Sequence, residues 1–296
     1  MATVYLRDKQ KLRGIRWMLL AVTAISMLTM FVLRMIGSFF EDSVPVYLES
    51  LITGLLAYVV PIAIYAKLDG ITAQTAAERF CLKKCSRYMI VLALIMGVCF
   101  QFVMIAVNLP FNMIFNSAES YTPGSAAELC AAMFVTGIIP AIFEEFLFRG
   151  IVLGSMSELN SRAAVIFSTV MFALMHGDLY SLAGYILMGV VLASVVNRSE
   201  SLYAAMVFHF GNNMAALLLG YFNSELIYEP TATIKLFAAG IVGFAAVFGI
   251  FVSVTKKRPK NNKIKASVLL GQSFVSIPVL LCIAITAAAE ILIRIL

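Results

Sequence analysis

Residues 125–153 read SAAELCAAMFVTGIIPAIFEEFLFRGIVL, an apolar run that carries Glu144, Glu145 and Arg149 in its second half. A helix needs ~20 mostly apolar residues to cross a hydrocarbon core, and this run is long enough. Each ionisable group at membrane depth costs ~2.5–3.5 kcal/mol on insertion scales, so such groups default to a functional role.

Eight further apolar runs surround it. Three precede it, near 15–37, 44–67 and 88–109, and five follow, near 163–179, 180–197, 200–222, 232–255 and 266–293. The fifth and sixth runs of the full set are short and tightly joined. The chain is 61% hydrophobic and 13% charged, against roughly 25% charged for a soluble domain. Its mean hydropathy is +0.95. The expected fold class is therefore all-α, a polytopic transmembrane helical bundle of about nine helices, or eight where two runs merge or one lies in the interface. No cleaved leader is expected, because the first run is too long for an h-region and no A-x-A-like site follows it.

Loop charge gives an independent check. Arg7, Lys9, Lys11, Arg13 and Arg16 precede the first run, and Lys67, Arg79, Lys83, Lys84 and Arg87 follow the second. Arg162, Arg198 and the group Lys256, Lys257, Arg258, Lys260, Lys263 and Lys265 occupy every second connection after that. The intervening connections hold Glu41 and Asp42, Glu119, Asp178, and Glu225 with Glu229, without Lys or Arg. The positive-inside rule puts the N-terminus in the cytoplasm. The net charge of +6 is accounted for by these flanks, so no nucleic-acid partner is expected.

Five cysteines build no disulfide framework. Cys99, Cys130 and Cys282 lie in apolar runs, where cysteine behaves as a small hydrophobe. Cys81 and Cys85 lie in a basic loop, where cytosolic thiols are normally reduced and inert. Residues 1–296 read as one membrane domain, with a catalytic core at about 120–225 and accessory C-terminal helices at 232–296.

The ionisable groups in apolar runs fall into three blocks: Glu144-Glu145-Phe-Leu-Phe-Arg149, Phe172-Ala-Leu-Met-His176 and His209-Phe-Gly-Asn-Asn213. Glu145 and Arg149 are four apart on one helix and can pair. Glu144 is turned ~100° away and lacks that partner. An apolar setting makes a carboxylate without a counter-ion the better base, so Glu144 is the candidate base and Glu145–Arg149 the supporting pair. The plainer alternative is a salt bridge near a helix end, with Arg149 snorkelling to the interface. A lone histidine in an apolar helix is more often a packing residue than a catalytic one. Here His176 and His209 are the only two in the chain, and each has a helical neighbour four away, Phe172 and Asn213. His209 and Asn213 share a face and can direct donors to one point, as an oxyanion site requires. Interhelical hydrogen bonding is the competing reading for Asn212 and Asn213.

Depth adds a geometric test. Glu144 and His209 each lie ~13 Å from the cytoplasmic end of their runs, while His176 lies ~20 Å in, about one turn too deep. No His-Glu-x-x-His helix, G-x-S-x-G elbow or P-loop is present. Glu144, His176 and His209 can hold zinc with an open water position, and a bare Glu–His pair can also activate water. Both remain open.

Together the three blocks resemble the signature of the CPBP family, the CAAX-type (type II prenyl endopeptidase) and bacteriocin-processing intramembrane proteases, also called Abi proteins. The motifs cover about 144–213. The resemblance implies an intramembrane endopeptidase in which Glu144 and His176 activate water. His209 and Asn213 would stabilise the oxyanion, and Glu145 with Arg149 would hold the geometry. Family members are usually described as metalloproteases, which keeps zinc as a candidate cofactor. The implied partners are a membrane protein or peptide substrate and the lipid bilayer, and the implied setting is the plasma membrane of a bacterium. A scaffold or bacteriocin-immunity member of the family would keep its phenotype without the histidines. A proton-coupled transporter would show pH-dependent uptake, but no inverted repeat or pair of broken helices supports one.

Overall fold

The computed structural model describes residues 2–39, 46–115, 122–223, 230–256, 259 and 261–295. Within them the secondary structure is helical, with one isolated bridge between Asn160 and Asn262. The helices are α1 (Ala2–Phe39), α2 (Val46–Gly54), α3 (Val60–Leu68), α4 (Ala73–Arg79), α5 (Arg87–Phe115), α6 (Ala126–Ala132) and α7 (Ile139–Glu145). They continue as α8 (Gly154–Ser157), α9 (Ser161–Met175), α10 (Leu182–Ser199), α11 (Leu202–Asn223), α12 (Pro230–Val254), α13 (Ala266–Phe274) and α14 (Ile277–Ile295). Three π-helical stretches, Leu55–Val59, Met133–Ile138 and Phe146–Leu153, join α2 to α3, α6 to α7 and α7 to α8.

Among the described residues, seven helical stretches are long and apolar enough to cross a membrane: Asp8–Leu33, Leu48–Leu68, Arg87–Phe115, Ala126–Ser157, Leu182–Ser199, Leu202–Phe222 and Ile234–Val254. The pair α13–α14 passes the same test but bends by 61° at its break. Helix α9 has 15 residues, ~22 Å of rise. Every apolar run thus falls on a helix or helix pair, and the chain is a polytopic all-α protein. The helix carrying Glu144 extends to Ser157, past its expected end at 153. Glu41, Asp42, Glu119, Glu225, Glu229, Lys257, Arg258 and Lys260, used in the loop-charge reading, lie outside the described residues.

The chain forms two compact bodies. The first takes residues up to Leu82, Phe146–Asp178 and Pro259 onward. In it α1 packs on α14, and α9 packs on the Phe146–Leu153 stretch and on α13. Asn160 staples the start of α9: its Oδ1 accepts from the amides of Arg162 and Ala163, both at 3.0 Å, and its Nδ2 donates to Ile264 O at 2.8 Å. Pro278 explains the bend that follows α13, because it has no N–H to offer Phe274 O four residues back. The carbonyls left at that helix end are taken by side chains. Arg16 Nη1 donates to Gln272 O at 2.7 Å and Ser276 Oγ to Ser273 O at 2.8 Å. Lys11 pairs with Glu158 at 3.1 Å, so Lys11, Arg16, Arg162, Lys263 and Lys265 gather at one end of this body.

The second body takes Lys83–Glu145 and Leu179–Arg258. Helix α5 runs through it and packs on α10, α11 and α12. Lipid tails are as apolar as leucine, so helices in a bilayer associate through close packing at small residues. Gly97 and Gly211 serve that purpose: a Cβ on Gly211 would stand 2.8 Å from Leu94 O, and one on Gly97 would run into Phe208 O. Phe100 fills the space beside this crossing, its ring 5.4 Å from Phe208 and 5.1 Å from Phe244. Asn108 Oδ1 accepts from Gly184 N at 3.1 Å and so caps the start of α10 from α5. At one end Lys83 pairs with Glu200 at 3.3 Å, Ser201 Oγ donates to Lys83 O at 2.7 Å, and Arg198 reaches Val252 O.

Candidate active site

The candidate residues divide between the two bodies, and each set has its own local logic. In the second body, helix α6 passes through the π-helical stretch into α7. Its last five-residue bond runs from Ile139 N–H to Phe134 O. The next residue, Pro140, has no N–H, so Thr136 O loses the donor an α-helix would supply from four residues on. Asn213 on α11 fills the gap, its Nδ2 donating to Thr136 O at 3.1 Å. A carbonyl can only accept, so this partner fixes which way the Asn213 amide faces. Its second N–H is left for another acceptor.

One helical turn before Asn213, His209 meets the glutamates. Its Nδ1 lies 2.9 Å from Glu145 Oε1 and its Nε2 stands 4.0 Å from Glu144 Oε2. The Glu145 side chain is 0% exposed and His209 3%, while Glu144 keeps 13%. Of the two carboxylates, Glu144 is the one that can meet solvent or substrate. A carboxylate on Nδ1 also orients the ring, turning Nε2 outward from that bond. The sequence-based separation of the two glutamates rested on Arg149; in the structure they differ in exposure and in their distance to His209. The third group that sorts their surroundings is His209, which no local spacing reveals.

In the first body Ser168 Oγ on α9 donates to Phe148 O of the π-helical stretch Phe146–Leu153 at 2.7 Å. Arg149, 1% exposed, sets its guanidinium 4.1 Å from the centroid of the Phe172 ring. The Phe172 ring also lies 4.5 Å from the His176 ring and 5.4 Å from Phe148. His176 Nδ1 donates to Phe172 O at 2.7 Å. The neutral imidazole therefore carries its proton on Nδ1 and its lone pair on Nε2. That is the form a base or a ligand needs.

His176 does not lie within the helix, as the apolar run suggested. It is the C-cap of α9, followed by Gly177 at φ +68°. A left-handed residue after the C-cap ends a helix, and glycine adopts that conformation at no steric cost. The pair His176-Gly177 was the signal for this boundary. Thr136 and Pro140 were missed as well, and their signal was the proline inside the apolar run.

Residues 126–215 match the family model described as type II CAAX prenyl endopeptidase Rce1-like. That segment holds all three blocks, so the likeness extends over the 126–215 stretch and not over one motif alone. A relative in Lactococcus lactis subsp. lactis (strain IL1403), the UPF0177 protein YxdF, is 30% identical over 95 residues, covering 30% of this chain and 52% of the relative. The chain thus spans about half the length of this curated relative. No solved structure matches the chain.

Among the described residues, no group of three or more His, Cys, Asp or Glu side chains is arranged to hold a metal ion.

Proposed function

We propose that this protein is an intramembrane endopeptidase that hydrolyses a peptide bond of a membrane-associated, CAAX-like substrate. One observation carries the reading: a buried carboxylate–imidazole–carboxylate cluster, Glu145–His209–Glu144, with contacts of 2.9 and 4.0 Å, in an apolar helical body. Such a cluster is costly in lipid, and acid–base chemistry accounts for it where packing does not.

In this reading Glu144 takes a proton from water as the oxygen attacks the scissile carbonyl. His176 accepts a hydrogen bond from the same water at Nε2, the nitrogen that the Phe172 carbonyl leaves unprotonated. The role of His176 rests on the family likeness. The oxyanion meets the second N–H of Asn213 and Nε2 of His209. Donation from that nitrogen needs a proton there as well as on Nδ1, and the resulting cation has Glu145 as its counter-charge. Glu144 then passes its proton to the leaving amine, so one water yields a carboxylic acid and an amine. Glu145 and Arg149 position: the first holds His209, the second packs on the Phe172 ring.

The same reading takes the N-terminus as cytoplasmic and a bacterial plasma membrane as the setting. Basic residues gathered at one end of each body support that orientation. The test compares cleaved peptides from cells carrying wild type with those carrying Glu144→Ala at equal expression. Loss of a defined set of membrane-proximal cleavages is expected, and an unchanged set overturns the reading.

A further inference from the structure

Helix α7, which carries both glutamates, also contains a proline with no part in the proposed chemistry. We propose that Pro140 is a positioning residue: by withholding an N–H from Thr136 O, it compels Asn213 to donate there and so fixes the amide that faces the oxyanion. The inference rests on the proposed role of Asn213 and extends it to a residue that touches no substrate.

Three observations carry it. The five-residue bonding of Met133–Ile138 persists to Ile139 N–H on Phe134 O, and the next position is proline. Thr136 O accepts the Asn213 amide at 3.1 Å, and the threonine hydroxyl is engaged elsewhere, donating to Ala132 O at 2.8 Å. The same arrangement recurs at Leu55–Val59, where Pro61 follows at the same offset. A proline two residues beyond the stretch thus accompanies two of the three π-helical stretches among the described residues. Only at Met133–Ile138 is the freed carbonyl answered by a residue of the proposed machinery, among the described hydrogen bonds.

In a purely structural role, proline in a helix is a burden, and replacing it with alanine strengthens the helix. Stability and activity should therefore move in opposite directions. Pro140→Ala supplies the missing N–H, which competes with Asn213 for Thr136 O. The expected result is a raised thermal midpoint with a kcat lowered about 10- to 100-fold, less than the 10²–10³ seen when an oxyanion donor is deleted. KM stays near the wild-type value. An α-hydroxy acid incorporated at 140 by nonsense suppression also lacks the N–H, and restores kcat toward wild type. In an Asn213→Ala background, Pro140→Ala gives no further loss.

Full kcat in Pro140→Ala, while Glu144→Ala is inactive, overturns this inference and leaves the protease reading standing. Losses that multiply in the double variant also overturn it. Cleavage that survives Glu144→Ala defeats the protease reading itself. Even then, a Pro140→Ala chain that is no more stable than wild type contradicts the bond competition proposed here.

Discussion

Glu145 and His209, 64 positions apart in sequence, meet at 2.9 Å with both side chains removed from solvent. Removing one partner of such a buried pair strands the other, at a cost of about 1–3 kcal/mol. Glu145→Ala is therefore expected to lower the thermal midpoint in detergent and abolish cleavage. Glu145→Gln keeps an acceptor for Nδ1–H and loses only the charge, so it should retain most of the stability and a measurable residual kcat. Equal stability for the Ala and Gln variants would show that the hydrogen bond contributes nothing.

Asn213 offers a sharper substitution. Asn213→Asp replaces the Nδ2 donor by an oxygen that faces Thr136 O, an acceptor against an acceptor. Both stability and kcat should fall, whereas Asn213→Ala should lose kcat by roughly 10²–10³ with KM little changed. An Asp variant with wild-type turnover would remove Asn213 from the site.

At the opposite end of α9 from His176, Asn160 caps the helix and bonds the segment before α13. Asn160→Ala loses a cap together with a long-range hydrogen bond, and a destabilisation of about 1–2 kcal/mol is expected. Thermal unfolding in detergent measures it. The residual folded fraction should keep its specific activity, because the cap touches none of the proposed site residues.

Metal dependence can be read directly. With water activated by Glu144 and His176, cleavage should persist after dialysis against a strong chelator. Loss of activity that returns with added zinc would instead assign Glu144, His176 and His209 as ligands.

The sequence revealed the helices more fully than it revealed the site. Apolar length located the long helices, because lipid forces backbone groups to bond within their own segment, whereas α4, Ala73–Arg79, lies in a polar connection. The three blocks were legible through the rarity of charge at that depth. What spacing could not show was the tertiary partner of each group: His209 for Glu145, Thr136 O for Asn213, the Phe172 ring for Arg149. Those pairings depend on how helices distant in sequence are rotated, and no local period encodes that. The π-helical turns lie between these cases. Two of them are written in the sequence as Pro61 and Pro140, while Phe146–Leu153 has no such mark.

Helix α9 has a consequence for hydration. With Ser161 at the basic end of its body, α9 rises only ~22 Å before it stops, short of a ~30 Å core. The backbone of Gly177 and Asp178 is then non-helical at a depth where hydrocarbon can satisfy neither N–H nor C=O. Such backbone persists only where protein encloses it or water reaches it. Under the protease reading the enzyme must import water into the lipid, and we propose that the early end of α9 admits it beside His176.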